Sequence, residues 1–351
     1  MRRTLSVIAA VALVICEAAC SNDVGTVNDD RVGGPPVATS EEVLRDDADA
    51  ILDAQQSDIS AGNVDAANPS FTVSLAERIA RDLRDGKDLV VTSYVALWYQ
   101  HAEEPARNLY WGALYGHEAM FRPGRRSEIA TRLPFLDLNR YDMQVDTVRT
   151  TDPLRIKVFA APIPRDGESA EPTGRLVVVN LAYHDMNQAA LDMGLQVKTG
   201  RLPEGLSDVP RIRQLLEKSY LMGYWGHNVY YGGSGIDCLE RVPSSRDDGP
   251  RGVFMVGCQT ARWYPQKFKS PGIEPLLFTT TNMAPEGYVG LALYDGIARE
   301  LSRSELRENV AEAYRVYQKL EHRPVSLFVN EWSEIETRMA TLSDCPRTTD
   351  E

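Results

Sequence analysis

The chain has 351 residues, 43% of them apolar, and carries 50 acidic against 38 basic residues for a formal net charge of −12. That acid surplus argues against nucleic acid or an anionic membrane surface as a partner. The apolar share is enough to bury a core, and the ~285 residues from Asn68 onward suit one large α/β domain or two small ones.

Met1-Arg2-Arg3, an apolar stretch from Leu5 to Ile15 and the small residues Ala18-Ala19 have the form of a bacterial export signal over residues 1–19. Its apolar core is shorter than the ~20 residues that span a bilayer. Ala18-Ala19-Cys20 looks like a lipoprotein cleavage junction, with Glu17 where such junctions usually carry Leu. Cys20 is then the lipid-bearing first residue of the mature chain. The expected location is the periplasmic side of the bacterial cell envelope, reached through the N-terminal lipid anchor. Cleavage after Ala19 without lipidation is the alternative, and gives a secreted soluble protein. Residues 20–67 are polar and lack apolar periodicity, as in Asn28-Asp29-Asp30 and Gly33-Gly34-Pro35-Pro36. They read as a flexible acidic tether, with a short helix over Glu41 to Gln55.

From residue 68 the elements follow in order. Leu75, Ile79 and Leu83 share one helical face, which Gly86 closes. Leu89 to Tyr99 is rich in β-branched and aromatic residues and predicts a buried strand. Asn108 to Ala113 predicts a loop feeding a helix through about Phe121. Strands are expected at Leu154 to Ala161 and Arg175 to Tyr183, then helices at Asn187 to Leu195 and Val209 to Lys218. Tyr220–Trp225, Val253–Val256 and Ile273–Thr280 predict three more strands, and Tyr288 to Leu301 and Glu305 to Leu320 two helices. Val325 to Val329 predicts a last strand inside a domain that ends near residue 335, with residues 336–351 as a tail. Strands that read as apolar runs and alternate with helices imply an α/β fold of three layers: a mostly parallel central sheet with helices on both faces.

The residues that carry chemistry sit at two strand ends. Gly226-His227-Asn228 follows the apolar run Tyr220 to Trp225, and Gly257-Cys258-Gln259-Thr260-Ala261 follows Val253 to Val256. Ligands and chemistry collect at the carboxyl ends of parallel strands. A His and a Cys there can share one gap, as nucleophilic thiol chemistry requires. Of five cysteines, Cys16 leaves with the signal and Cys20 becomes the new terminus. Three remain, an odd number that leaves one thiol reduced in an oxidising compartment. Cys238 and Cys345 lie in polar, loop-like contexts and are the expected disulfide. Cys258 is expected to be the accessible reduced thiol.

Other residues are weaker candidates. His117-Glu118, His184-Asp185 and His227 match no zinc spacing, since metalloprotease helices want His at i and i+4. The sequence therefore points to no metal site and no cofactor. Ser93 and Ser234 lack a nucleophile-elbow context. Gly232-Gly233-Ser234-Gly235 reads as a loop, because no Lys follows it and no helix starts there. Trp263-Tyr264-Pro265 is either the wall of a substrate groove or an ordinary packed turn.

Four segments resemble, in order, those of the caspase-like (clan CD) cysteine peptidases, a family that includes bacterial caspase-like domains. Asn108-Leu109 through Phe121 is similar to the loop and helix after the family's first strand. Tyr224-Trp225-Gly226-His227 and Met255-Val256-Gly257-Cys258-Gln259-Thr260-Ala261 are similar to its histidine and cysteine motifs. Pro275 to Arg299, followed by Glu305 to Leu320, resembles the tail of the bacterial forms. The resemblance covers residues 87–329 and is closest over 209–301. It implies a caspase-like fold, Cys258 as nucleophile and His227 as proton donor to the leaving amine of a peptide or protein substrate. It further implies that the backbone N–H groups of Asn228 and Cys258 hold the oxyanion. The family usually has Gly after the His. Asn228 stands here, a residue type that tolerates left-handed backbone better than most. The sequence thus predicts an exported, lipid-anchored cysteine endopeptidase. The alternatives are a catalytically inactive caspase-like binding module, or a structural envelope lipoprotein whose body docks to a partner.

Overall fold

Ser74 opens the first helix of the described chain, α1 (Leu75–Arg84), with a reciprocal capping box to Glu77, and Gly86 closes the segment at φ +70°. The computed structural model describes residues 73–122, 141–163, 174–206, 209–228 and 236–343. The predicted signal, the tether with Cys20, Ser234 and Cys345 lie outside the described residues.

After α1 come β1 (Leu89–Ala96), the short helix α2 (His117–Phe121) and the strands β2 (Asp142–Val148), β3 (Arg155–Pro162) and β4 (Arg175–Tyr183). Helices α3 (Met186–Thr199) and α4 (Pro210–Lys218) lead to β5 (Leu221–Trp225). β6 (Arg251–Val256) is followed by the single turns α5 (Thr260–Trp263) and α6 (Pro265–Phe268), then β7 (Ile273–Thr279). Helices α7 (Gly287–Ala298) and α8 (Arg303–Gln318), the two-residue strand β8 (Phe328–Val329) and α9 (Trp332–Ser343) complete the order.

The eight strands among the described residues form one sheet in the order β2-β3-β4-β1-β5-β6-β7-β8. β4, β1, β5, β6 and β7 run parallel, β2 and β3 add an antiparallel pair beyond β4, and β8 adds antiparallel to β7. The protein is therefore α/β with a mostly parallel sheet, as expected. The buried strand runs face helices on both sides. Val91, Val95, Trp225, Phe254 and Val256 pack with Tyr288, Leu291, Tyr294 and Val310 of α7 and α8. Val90, Tyr94, Met222, Tyr224 and Met255 pack with Ala190, Leu191, Ile212 and Leu216 of α3 and α4. Every one of these side chains is at most 2% exposed. Burying such a side chain contributes roughly 1.5–3 kcal/mol.

β1 pairs with β4 on one side and β5 on the other. The strand order reverses there, and in open α/β sheets such a reversal opens a crevice at the carboxyl strand ends.

The sequence expectations differ from the structure at several places. β1 stops at Ala96 rather than Tyr99, because Asn108 takes over both backbone groups of Trp98. Residues 325–327 form a 3₁₀ turn, closed by Leu327 N–H on the Pro324 carbonyl, so the last strand shrinks to Phe328–Val329. β2 was not expected; it is an edge strand whose residues are mostly exposed. Residues 336–343, expected as tail, continue helix α9.

Candidate active site

The two strand ends that carry His227 and Cys258 lie side by side. Trp225 and Val256, the last residues of β5 and β6, are register partners in parallel pairing. The next residues on each strand are glycines, and both need to be. A Cβ on Gly257 would stand 2.2 Å from the Gly226 carbonyl oxygen. One on Gly226 would stand 2.5 Å from the Tyr224 hydroxyl and 2.7 Å from Ala96 Cβ. Gly226 N–H continues the ladder to the Val256 carbonyl at 3.2 Å. The glycines let both chains leave the sheet together at one edge.

His227 is half-buried and lies among aromatic rings. Its ring centroid is 4.4 Å from Trp98, 5.4 Å from Tyr110 and 6.5 Å from Tyr99. The Tyr110 hydroxyl is 3.3 Å from His227 Nε2. From below, the Tyr224 hydroxyl donates to the His227 carbonyl at 2.6 Å. Burial pushes the Tyr224 pKa well above its ordinary value, so this phenol stays a donor at neutral pH.

Cys258 is 2% exposed, which corrects the expectation of an accessible thiol. The physical reason is the segment after β7. Cys258 Sγ donates to the Met283 carbonyl at 3.9 Å. Gln259 N–H donates to the Thr281 carbonyl at 2.9 Å, and Gln259 Nε2 to Asn282 Oδ1 at 3.0 Å. Gln259 takes a left-handed backbone, φ +51°, which turns the chain sharply after the cysteine into α5. Thr260 fixes the turn: its hydroxyl donates to the Met255 carbonyl at 2.7 Å and lies 2.8 Å from the Thr279 hydroxyl. The Thr279 hydroxyl in turn donates to the Gly257 carbonyl.

Asn228 joins the two halves through its side chain. Nδ2 donates to the Cys258 carbonyl at 2.8 Å, and Oδ1 accepts from the Tyr264 hydroxyl at 3.1 Å. Asn228 and Tyr264 are both buried. Tyr264 is therefore a packed part of its turn, while Trp263 is half-buried beneath the Arg262 guanidinium, 4.7 Å from the ring centroid.

The remaining candidates are elsewhere. His117 is fully buried against Trp225, with ring centroids 4.5 Å apart. Burial lowers its pKa to about 3; the nearby Pro285 carbonyl, which favours the cation, does not offset this. His117 is thus a neutral packing residue. His184 is on the surface, paired to Glu103 at 3.2 Å. Among the described residues, no group of three His, Cys, Asp or Glu side chains is placed to hold a metal ion. Ser93 is buried in mid-strand against the Tyr294 hydroxyl. Cys238 is buried in a 3₁₀ turn, Asp237–Glu240, where burial raises its thiol pKa. Its expected partner Cys345 lies outside the described residues.

Sequence reasoning missed Asn108, Trp98 and Tyr110 as parts of this site. Asn108 and Tyr110 were visible only as parts of a loop and of the segment that resembles the family, with no role assigned, and Trp98 only as part of a strand running to Tyr99. Comparison with protein-family models, with curated proteins and with solved structures finds no match. Among the described residues, no helix is long and apolar enough to cross a membrane.

Proposed function

We propose that this protein is a cysteine endopeptidase with Cys258 as nucleophile and His227 as proton donor, exported and held at the cell envelope through a lipid on Cys20. The observation that carries the reading is the pairing of Trp225 with Val256, which brings a histidine and a cysteine out of adjacent parallel strands at one sheet edge. The resemblance of the two motifs to those of caspase-like peptidases points the same way. In this reading the Cys258 thiolate attacks the peptide carbonyl carbon and the C–N bond breaks. His227 gives its proton to the departing amine, and water then hydrolyses the thioester, returning the thiol. Backbone N–H groups at Asn228 and Cys258 take the oxyanion. As found, the thiol donates to the Met283 carbonyl, so attack requires Cys258 to leave that bond.

The test is cleavage of a diverse peptide library by the wild type and by Cys258→Ala, together with covalent labelling by a thiol-reactive peptide. Cleavage and labelling are expected only with Cys258 in place. Identical profiles for the two proteins, before and after limited proteolytic activation, would defeat the reading. A second reading, a catalytically silent module of the same architecture that binds a partner, draws on the burial of Cys258 and on the structural use of the Asn228 side chain. Binding of peptides by both proteins without turnover is its expected result.

A further inference from the structure

We propose that Asn108 is a positioning residue for His227, acting through Trp98 and Tyr110; the inference rests on the reading of His227 as the proton donor. Asn108 is fully buried, and its side chain is spent entirely on main chain. Oδ1 accepts from Trp98 N–H at 3.1 Å and from Tyr110 N–H at 3.0 Å. Nδ2 donates to the Trp98 carbonyl at 2.7 Å and to the Gln100 carbonyl at 3.2 Å. A carboxamide has two donors and two acceptor lone pairs, and all four are used. Aspartate offers no donor and alanine offers neither. The clamp turns the segment after β1 and the loop before α2 into one unit.

That unit presents two rings to His227. Trp98 and Tyr110 stand edge to face, with centroids 5.5 Å apart and planes at 78°. His227 lies against both. Each contact has a distinct consequence. The Tyr110 hydroxyl can donate to a neutral imidazole and accept from an imidazolium, so it holds the ring on both sides of a proton transfer. The indole face of Trp98 lies within the ~6 Å range over which an aromatic ring favours a cation. Tyr110 sets its hydroxyl 3.3 Å from His227 Nε2, Tyr224 sets its hydroxyl on the His227 carbonyl, and the Tyr99 ring lies 6.5 Å from the imidazole. Cys258 leaves the sheet at the next strand end. The arrangement fixes the orientation and the protonation of the ring through a residue that does not touch it.

The experiment is NMR titration of the His227 imidazole in the full chain, assigned by its loss in His227→Gln, alongside steady-state cleavage. Trp98→Leu is expected to lower the His227 pKa by about 0.4–1.5 units, the span from an exposed to a buried cation–π contact. Tyr110→Phe, which removes one hydroxyl and keeps the ring, is expected to change the tautomer seen in the imidazole nitrogen shifts. Asn108→Ala is expected to show both changes and to lower kcat by roughly 10–100-fold with KM within about twofold, the mark of lost orientation. Asn108→Asp, which lacks the two donors, is expected not to rescue it. If Asn108→Ala does not fold, Trp98→Leu and Tyr110→Phe decide the matter. An unchanged titration and tautomer in both folded variants, or an unchanged kcat in folded Asn108→Ala, would overturn the proposal. A wild type that cleaves nothing, yet shows these spectroscopic shifts, would defeat the peptidase reading and leave the positioning role standing.

Discussion

Glu286 gives the sharpest test of the electrostatics. It lies three residues beyond Met283, at the start of α7, and only 8% of it is exposed. Burial raises its pKa from an ordinary 4.5 to about 7; hydrogen bonds from the Tyr288 hydroxyl and from Gln318 Nε2, at 2.8 Å, oppose the rise without cancelling it. A carboxyl whose folded pKa is raised favours folding in its neutral form. That contribution is full below about pH 4.5 and is lost as pH climbs through 7. At about 1.4 kcal/mol per unit, the loss by pH 8 is on the order of 3 kcal/mol. Glu286→Gln cannot ionise, and its amide oxygen can still accept from Tyr288 and Gln318. Denaturant unfolding of both proteins from pH 4 to pH 8 is the assay. The curves should meet at the acid end and separate towards pH 8, with the glutamine variant the more stable. Parallel curves across that range would show that Glu286 is not buried as a near-neutral acid, and would refute the reasoning.

Two further outcomes follow from the site and the proposed anchor. Asn228→Gly introduces the residue usual after the histidine in the family that the motifs resemble, but removes both bonds that tie Cys258 to Tyr264. It should cost about 2 kcal/mol, measured as a lowered denaturation midpoint, because two buried hydrogen bonds worth about 1 kcal/mol each are lost; an unchanged midpoint would show the bridge to be dispensable. Cys20→Ala should move the protein from the membrane to the soluble fraction, since a body with this acid surplus has no attraction of its own to anionic lipid. Continued sedimentation with membranes would remove the lipid-anchor reading.

The sequence made the sheet legible and left most of the site hidden. β1, β4, β5 and β6 are mainly apolar runs buried on both faces, with only Thr92, Ser93 and Asn180 as polar interior positions, so composition marks them as inner strands. The placement of Gly226-His227 and Gly257-Cys258 at strand ends followed from where those runs stop. β2 was illegible because an edge strand exposed along most of its length has little apolar pattern. The burial of Cys258 was illegible for a different reason. It depends on Met283, 25 residues later, whose carbonyl meets the thiol only after β7 has paired with β6. The aromatic setting of His227 depends on Asn108 bonding back across ten residues to Trp98 and forward to Tyr110. Neither partner is marked by periodicity, and a strand prediction that ran through to Tyr99 absorbed Trp98 into the wrong element.

The strand order explains why the site is assembled as it is. β1 lies next to β5, and β5 next to β6, so three neighbouring carboxyl ends deliver three different things. The end of β1 delivers Trp98 and, through Asn108, Tyr110; the end of β5 delivers His227; the end of β6 delivers Cys258. At Gly226 and Gly257 the last two ends come so close that no side chain fits between them. The ring of His227 is fixed from the β1 side, through hydrogen bonds to main chain. The thiol is fixed differently, by a bond to the loop that follows β7, which no strand pairing holds in place at Met283. Of the two reacting groups in the proposed dyad, the acid is therefore preorganised and the nucleophile is held back. Residues 280–286 hold Cys258 through the Met283 carbonyl, whereas Trp98, Tyr99, Tyr110 and Tyr224 are set around His227. The loop that holds the proposed nucleophile is thus the one that leads directly into Glu286 at the start of α7.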